Sequence, residues 1–312
     1  MPDILDKRLI FVTGKGGVGK STVAAALGLV AARRGMRTVI AEVAGQDRVL
    51  RALTAREDID PFCEYELADR LFGISIDPEH ALQEYLQLQL RVRQLADLLT
   101  SSRMFQYFAA ATPGLQEMVT MGKVWELAQL ERRSRNATRY DLVIVDAPAT
   151  GHGVAFMRTP KTFADIARVG PIAHQGRIIH SLIVDRRRTG VIAVALPEEM
   201  PVNETMLLRD EIARHLGLEL DAVVVNGLYP DRFGPRQAGS LARALETAGT
   251  PLARAALQTA LSEHVRARAQ RDEVARLSEG IGLDPVELPF LFEPELRIDE
   301  VGRLSETLEA GL

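Results

Sequence analysis

Residues 14–21 constrain this chain more than any other stretch. Gly14-Lys15-Gly16-Gly17-Val18-Gly19-Lys20-Ser21 places two glycines four spacers apart, then a lysine and a hydroxyl. Leu9, Ile10, Phe11 and Val12 precede it as an apolar, β-prone run, and the alanine- and leucine-rich stretch from Thr22 to Arg34 follows with helical composition. A strand, a glycine loop and a helix in that order turn successive backbone N–H groups toward one point and add the positive end of a helix dipole. Such a loop cradles phosphate: Lys20 reaches the outer phosphates, Ser21 is placed to ligate Mg²⁺, and Gly14, Lys15, Gly16, Gly17, Val18, Gly19 and Thr22 complete the cradle.

The rest of the chain supports an α/β fold. Strands are expected at 38–43, 139–146, 191–196, 222–226 and 285–288. The run Arg139-Tyr140-Asp141-Leu142-Val143-Ile144-Val145-Asp146 has the continuous apolar centre of a buried parallel strand. Helices at 203–216, 236–248, 252–279 and about 298–310 alternate with these strands, which implies crossovers and a mostly parallel central sheet with helices on both faces. Ligands on such sheets sit at the carboxyl ends of strands. Residues 78–133 and 155–188 break the alternation and read as an inserted α-helical subdomain, so we expect a single domain over 1–312.

Composition narrows the function classes. A net charge of −4 gives no basic face for nucleic acid. One cysteine, Cys63, rules out a disulfide framework and points to a reducing cytosol. No run approaches ~18 consecutive apolar residues, so no integral membrane segment is expected.

The segment Asp146-Ala147-Pro148-Ala149-Thr150-Gly151-His152 follows the strongest predicted strand. A carboxylate there is placed to organise Mg²⁺ or the attacking water; its structural alternative is a turn cap. Together with Lys15 inside the glycine loop, this segment carries a family resemblance. Lys-Gly-Gly-x-Gly-Lys-Ser resembles the deviant Walker A loop of P-loop ATPases. Asp-x-x-x-Thr-Gly-His resembles switch II of the arsenite-pump and tail-anchored-protein-targeting ATPases. Weaker matches follow in order: Pro113-Gly114-Leu115-Gln116-Glu117, Lys123, Glu204-Thr205, Asn226 and Leu288-Pro289-Phe290-Leu291. The resemblance covers roughly residues 8–308.

What the resemblance implies is a P-loop NTPase fold and an ATP-driven, Mg²⁺-dependent dimeric switch. In it Lys15 crosses to the partner's nucleotide, Thr150 to His152 relay nucleotide state to the helices, and Asn226 and Phe290 meet adenine. The bland readings are a strand cap for Asn226, core for Phe290, a turn histidine for His152 and a solvated helix position for Glu117. Met104, Phe105, Tyr107, Phe108, Met118, Val119 and Met121 form either subdomain core or a surface for a hydrophobic client segment.

The chain also departs from the family. Switch I there carries Asp-Pro-Ala, whose aspartate orients the attacking water. Here the segment is Glu42-Val43-Ala44-Gly45-Gln46-Asp47, with Ala44 at the aspartate position. Glu42 shares a strand face with Ala44. Either its longer side chain compensates, or intrinsic hydrolysis is weak, or a partner supplies the group. Paired bacterial "anion-transporting ATPase" subunits, one with Asp-Pro-Ala and one with Glu-Val-x-Gly, make a heterodimer with a paralogue the alternative to a homodimer. The expected function is a chaperone- or targeting-type ATPase; the alternative is a nucleotide-binding regulatory subunit with little intrinsic turnover. A lone Cys63 supplies neither the paired Cys-x-x-Cys zinc clip of the targeting factors nor an arsenite-binding thiolate cluster.

Overall fold

The strands alternate large apolar side chains between two faces, and that alternation builds two cores. In a computed structural model, residues 3–43, 46–54, 58–60, 62–89, 102, 111–132 and 137–312 are described. β1 (Leu9–Gly14) sends Leu9 and Phe11 to one face and Ile10 and Val12 to the other, all essentially fully buried. β2 (Thr38–Glu42), β5 (Leu142–Ala149), β6 (Thr189–Ala195) and β7 (Ala222–Leu228) repeat the pattern. Strands buried on both sides need helices on both sides, and burial of this continuous apolar surface is the main favourable term for the fold.

The sheet has eight strands in the order β3-β4-β2-β5-β1-β6-β7-β8, with β8 at Val286–Pro289. Every pairing is parallel except β3 (Glu64–Ala68) with β4 (Leu71–Ser75). This edge hairpin was not expected. Its strands are only five residues each; β3 is largely half-buried with polar residues interspersed, while β4 is mostly buried and pairs in parallel with β2 but has Gly73 at its centre.

On one face lie α1 (Lys20–Arg33), α2 (Arg48–Thr54) and α10 (Ile298–Gly311). The other face carries α3 (Pro78–Gln89), α4 (Leu115–Leu127), α5 (Thr150–Ala167), α6 (Pro171–Ile183), α7 (Glu199–Leu216) and α9 (Pro251–Ile281). α8 (Pro235–Glu246) packs on α9. Helices α3 to α6, where the sequence suggested an inserted subdomain, pack on one another and share one hydrophobic core with the sheet. Met118, Val119 and Met121 are buried in that core. Met104, Phe105, Tyr107 and Phe108, and Ala44 and Gly45 of the expected switch I, lie outside the described residues.

Among the described residues no helix is long and apolar enough to cross a membrane. The strand boundaries differ from expectation most at β5. It starts at Leu142 and runs on to Ala149, so Asp146 lies within the strand, in register with Val12 of β1 and Glu42 of β2.

Candidate functional site

The glycine loop joins β1 to α1 at the centre of the sheet, and its backbone is shaped by residues that cannot be replaced without a clash. Gly19 has φ 91°, and a Cβ there would lie 2.2 Å from Nδ2 of Asn226. Asn226, near the end of β7, donates from Nδ2 to the Val18 carbonyl at 3.0 Å, so it braces the loop from behind. Lys20 Nζ folds back to donate to the Lys15 carbonyl at 3.0 Å. Burial lowers the Lys20 pKa; Asp146 opposes that and the positive charge of Arg48 adds to it.

Asp146 and Ser21, the two residues expected at a Mg²⁺ site, lie side by side. The Ser21 hydroxyl donates to Oδ2 of Asp146 at 2.5 Å. The other oxygen, Oδ1, is buried and has no hydrogen-bond partner among the described residues. Burial pushes the Asp146 pKa up, and the Ser21 hydroxyl, Lys20 and Arg48 pull it back. A buried carboxylate with a spare lone pair beside a hydroxyl is a donor set that suits Mg²⁺. That ion takes few protein oxygens and fills its octahedron with water and phosphate.

A cavity of about 470 Å³ opens at Ser21, and Asp146 is buried just behind its lining. It is lined by Gly16, Gly17, Gly19, Lys20, Ser21 and Thr22 of the loop and α1, by Ala147-Pro148-Ala149 at the end of β5, and by Gln46, Arg48 and Val49. The size is that of a small-molecule site. Leu296 and Val301 close the end toward α10.

Glu42 is placed differently. It is 1 % exposed and does not line that cavity. Oε1 accepts the Val49 amide at 2.9 Å and Oε2 the Leu50 amide at 3.0 Å, so the carboxyl holds the first turn of α2. Burial is the largest cause of a pKa raised to about 7; the two amides lower it, and Asp146 and Asp47 raise it further.

Lys15 forms an ion pair with Glu204 of α7 at 2.8 Å within the same chain. Thr150 begins α5, and His152 in its first turn is exposed. At Gly153 a Cβ would sit 2.7 Å from the Thr13 hydroxyl, so the start of α5 leans directly on the residue before the loop. Phe290 is 39 % exposed and stacks on Tyr229, with ring centroids 5.0 Å apart at 12°; Phe292 closes the cluster edge-on. Glu117 is exposed in the first turn of α4. Lys123 is buried between Glu84, at 3.0 Å, and Glu126, at 3.4 Å.

The structure thus gathers Lys15, Lys20, Ser21, Asp146 and Asn226 around one loop. Sequence reasoning missed Gln46 and Arg48 in the cavity wall, and it matched Glu204 to a family motif without seeing that it pairs with Lys15. A basic side chain six residues past a β2 carboxylate was a visible signal for Arg48. The Lys15–Glu204 pairing had none, because 189 residues separate the two.

Comparison with known proteins agrees with this geometry. A family model described as "Anion-transporting ATPase" matches residues 7–171 and 166–238. "ATPase BagA" of Mycobacterium tuberculosis (strain ATCC 25618 / H37Rv) is 30% identical over 96% of this chain and 92% of its own length. "ATPase get3" of Neurospora crassa is 26% identical over 73% of this chain and 76% of its own length. "Arsenical pump-driving ATPase" of Escherichia coli is 25% identical over 71% of this chain, a match that spans 39% of that protein.

Proposed function

The chain belongs to the anion-transporting ATPase family, and from that premise we propose that it binds Mg²⁺-ATP in the loop after β1 and acts as a dimeric, nucleotide-driven switch. The observation that carries the reading is the Ser21–Asp146 pair, Ser21 in the cavity lining with the glycine loop and Asp146 bonded to it from behind with an unpartnered buried carboxylate oxygen. Lys20 and the loop amides hold the phosphates. Ser21 and Asp146 hold Mg²⁺, which when bound neutralises charge between the outer phosphates. Asn226 holds the loop through its Nδ2 bond to Val18, which leaves only Oδ1 to accept from adenine; Phe290, 39 % exposed and outside the cavity lining, offers a ring face.

Switching follows from contact. The wall Ala147-Pro148-Ala149 runs straight into α5, whose first turn rests on Thr13 and which packs against α4, α6 and α7. A change at the outer phosphates therefore bears on the helices that form the larger face of the molecule, where a client segment is proposed to bind. Lys15, released from Glu204, crosses to the nucleotide of a second subunit. That subunit is either another copy or a paralogue that keeps the Asp-Pro-Ala switch I, and the names "ATPase BagA" and "ATPase get3" support ATP turnover as what drives the switch. Because both oxygens of Glu42 are committed to α2, we assign it to anchoring that helix rather than to water activation.

The test is Mg²⁺-dependent ATP turnover together with the solution mass in ATP, for the wild type and Lys15→Ala. Turnover by a dimer, with mass and rate both reduced in the variant, supports a self-sufficient switch. ATP binding by a monomer without turnover supports the regulatory-subunit alternative and calls for the paralogue.

A further inference from the structure

The segment that follows β2 carries no free carboxylate toward the cavity; it carries a guanidinium. We propose that Arg48 is a phosphate-contacting residue that acts within its own chain on the outermost phosphate of the nucleotide, so that this site distinguishes ATP from ADP through residue 48. The inference rests on the nucleotide reading of the β1–α1 loop and goes beyond it by assigning a residue outside that loop.

Three observations carry it. First, Arg48 lines the same cavity as Gly16, Gly17, Lys20, Ser21 and Ala147-Pro148-Ala149. Second, its neighbours are committed and it is not. Asp47 pairs with Arg51 at 2.7 Å, and Glu42 accepts the Val49 and Leu50 amides. Arg48 forms no hydrogen bond or ion pair among the described residues. Third, the segment that carries it is anchored to β2. The two Glu42 bonds clamp the residues immediately after Arg48 to β2, whose Glu42 is in register with Asp146, so the backbone at 48 is fixed relative to the Mg²⁺ ligand.

The chemistry suits that position. A guanidinium is planar, always charged and a two-pronged donor to phosphate oxygens. In hydrolysis a water oxygen bonds the γ-phosphorus, the bond to the bridging oxygen breaks with its electron pair left on ADP, and the water proton passes to the released phosphate. Negative charge on the γ-oxygens and the bridging oxygen is what a cation at this point stabilises. ADP presents no γ-oxygens, so Arg48 favours ATP binding selectively. Gln46, which lines the same cavity, is an uncharged donor and acceptor.

The experiment is equilibrium titration of the full chain with fluorescent mant-ATP and mant-ADP in Mg²⁺, for wild type, Arg48→Ala, Arg48→Lys and Lys20→Ala. Arg48→Ala is expected to weaken mant-ATP about tenfold or more while mant-ADP stays within about twofold, and Arg48→Lys to recover part of the ATP preference. Lys20→Ala weakens both nucleotides. An unchanged ATP-to-ADP ratio in Arg48→Ala, with binding abolished by Lys20→Ala, overturns the assignment of Arg48 alone. Unchanged binding in Lys20→Ala overturns the nucleotide reading of the loop and this inference with it.

Discussion

Glu42 stores a pH dependence that can be worked out from its surroundings. The folded chain holds its pKa at about 7, against 4.5 for an ordinary glutamate, chiefly because the carboxyl is buried. The folded value is the higher one, so the folded state binds the proton more tightly. The stabilisation this gives is fully present below pH about 4.5 and is lost as pH rises through about 7. A shift of roughly 2.5 units is worth about 3 kcal/mol in all, of which about 2.5 kcal/mol falls between pH 5 and pH 8. Glu42→Gln removes the titration and keeps one acceptor for the two amides of α2, with its NH₂ turned to the other amide. The variant is therefore expected to be the less stable protein at pH 5 and to close that gap, or reverse it, by pH 8. Urea unfolding of both proteins at pH 5, 6, 7 and 8 reads this directly. A difference in unfolding free energy that stays constant within about 0.5 kcal/mol across the series would refute the buried, proton-binding carboxyl.

Three other perturbations follow from the same geometry. Glu204→Gln releases Lys15 from a partly exposed pair, so the fold is expected to lose less than about 1 kcal/mol, while ATP-dependent association measured by sedimentation strengthens up to about fivefold. Asp146→Asn removes a buried carboxylate whose pKa is raised by burial; the apo protein is expected to melt higher at pH 8 in calorimetry, while ATP affinity in Mg²⁺ falls by about tenfold or more. Arg132, with a side chain 4% exposed, ties Glu126 at the end of α4 to Glu64 on the edge strand β3. Arg132→Ala leaves two carboxylates without that partner and is expected to cost about 3–5 kcal/mol in urea unfolding, with nucleotide affinity unchanged.

How much of this was legible depended on how local each feature is. β1, the glycine loop and α1 follow from one unbroken stretch, Leu9 to Arg33, and the apolar centre of β5 is unmistakable because a strand buried on both faces needs one. The edge hairpin β3–β4 was not legible: Glu64-Tyr65-Glu66-Leu67-Ala68 and Leu71-Phe72-Gly73-Ile74-Ser75 are too short and too mixed to stand out from a loop. α2 was missed because seven residues carry little periodicity and its first turn is held by Glu42, a tertiary contact. That one contact accounts for the two largest differences at the site. It turns Glu42 away from the cavity wall and fixes the segment that presents Arg48 there. Lys15 and Glu204, and Asn226 and Val18, are juxtaposed only by the order of strands around β1.

The measurement that bears most directly on the account is calorimetric titration of the purified chain with ATP, once in Mg²⁺ and once in EDTA. The account predicts binding of one ATP per chain in Mg²⁺, weakened by about tenfold or more when the ion is removed, because Ser21 and Asp146 then lose the charge they are arranged to hold. Absence of binding in Mg²⁺, or equal affinity with and without it, would contradict the site described here.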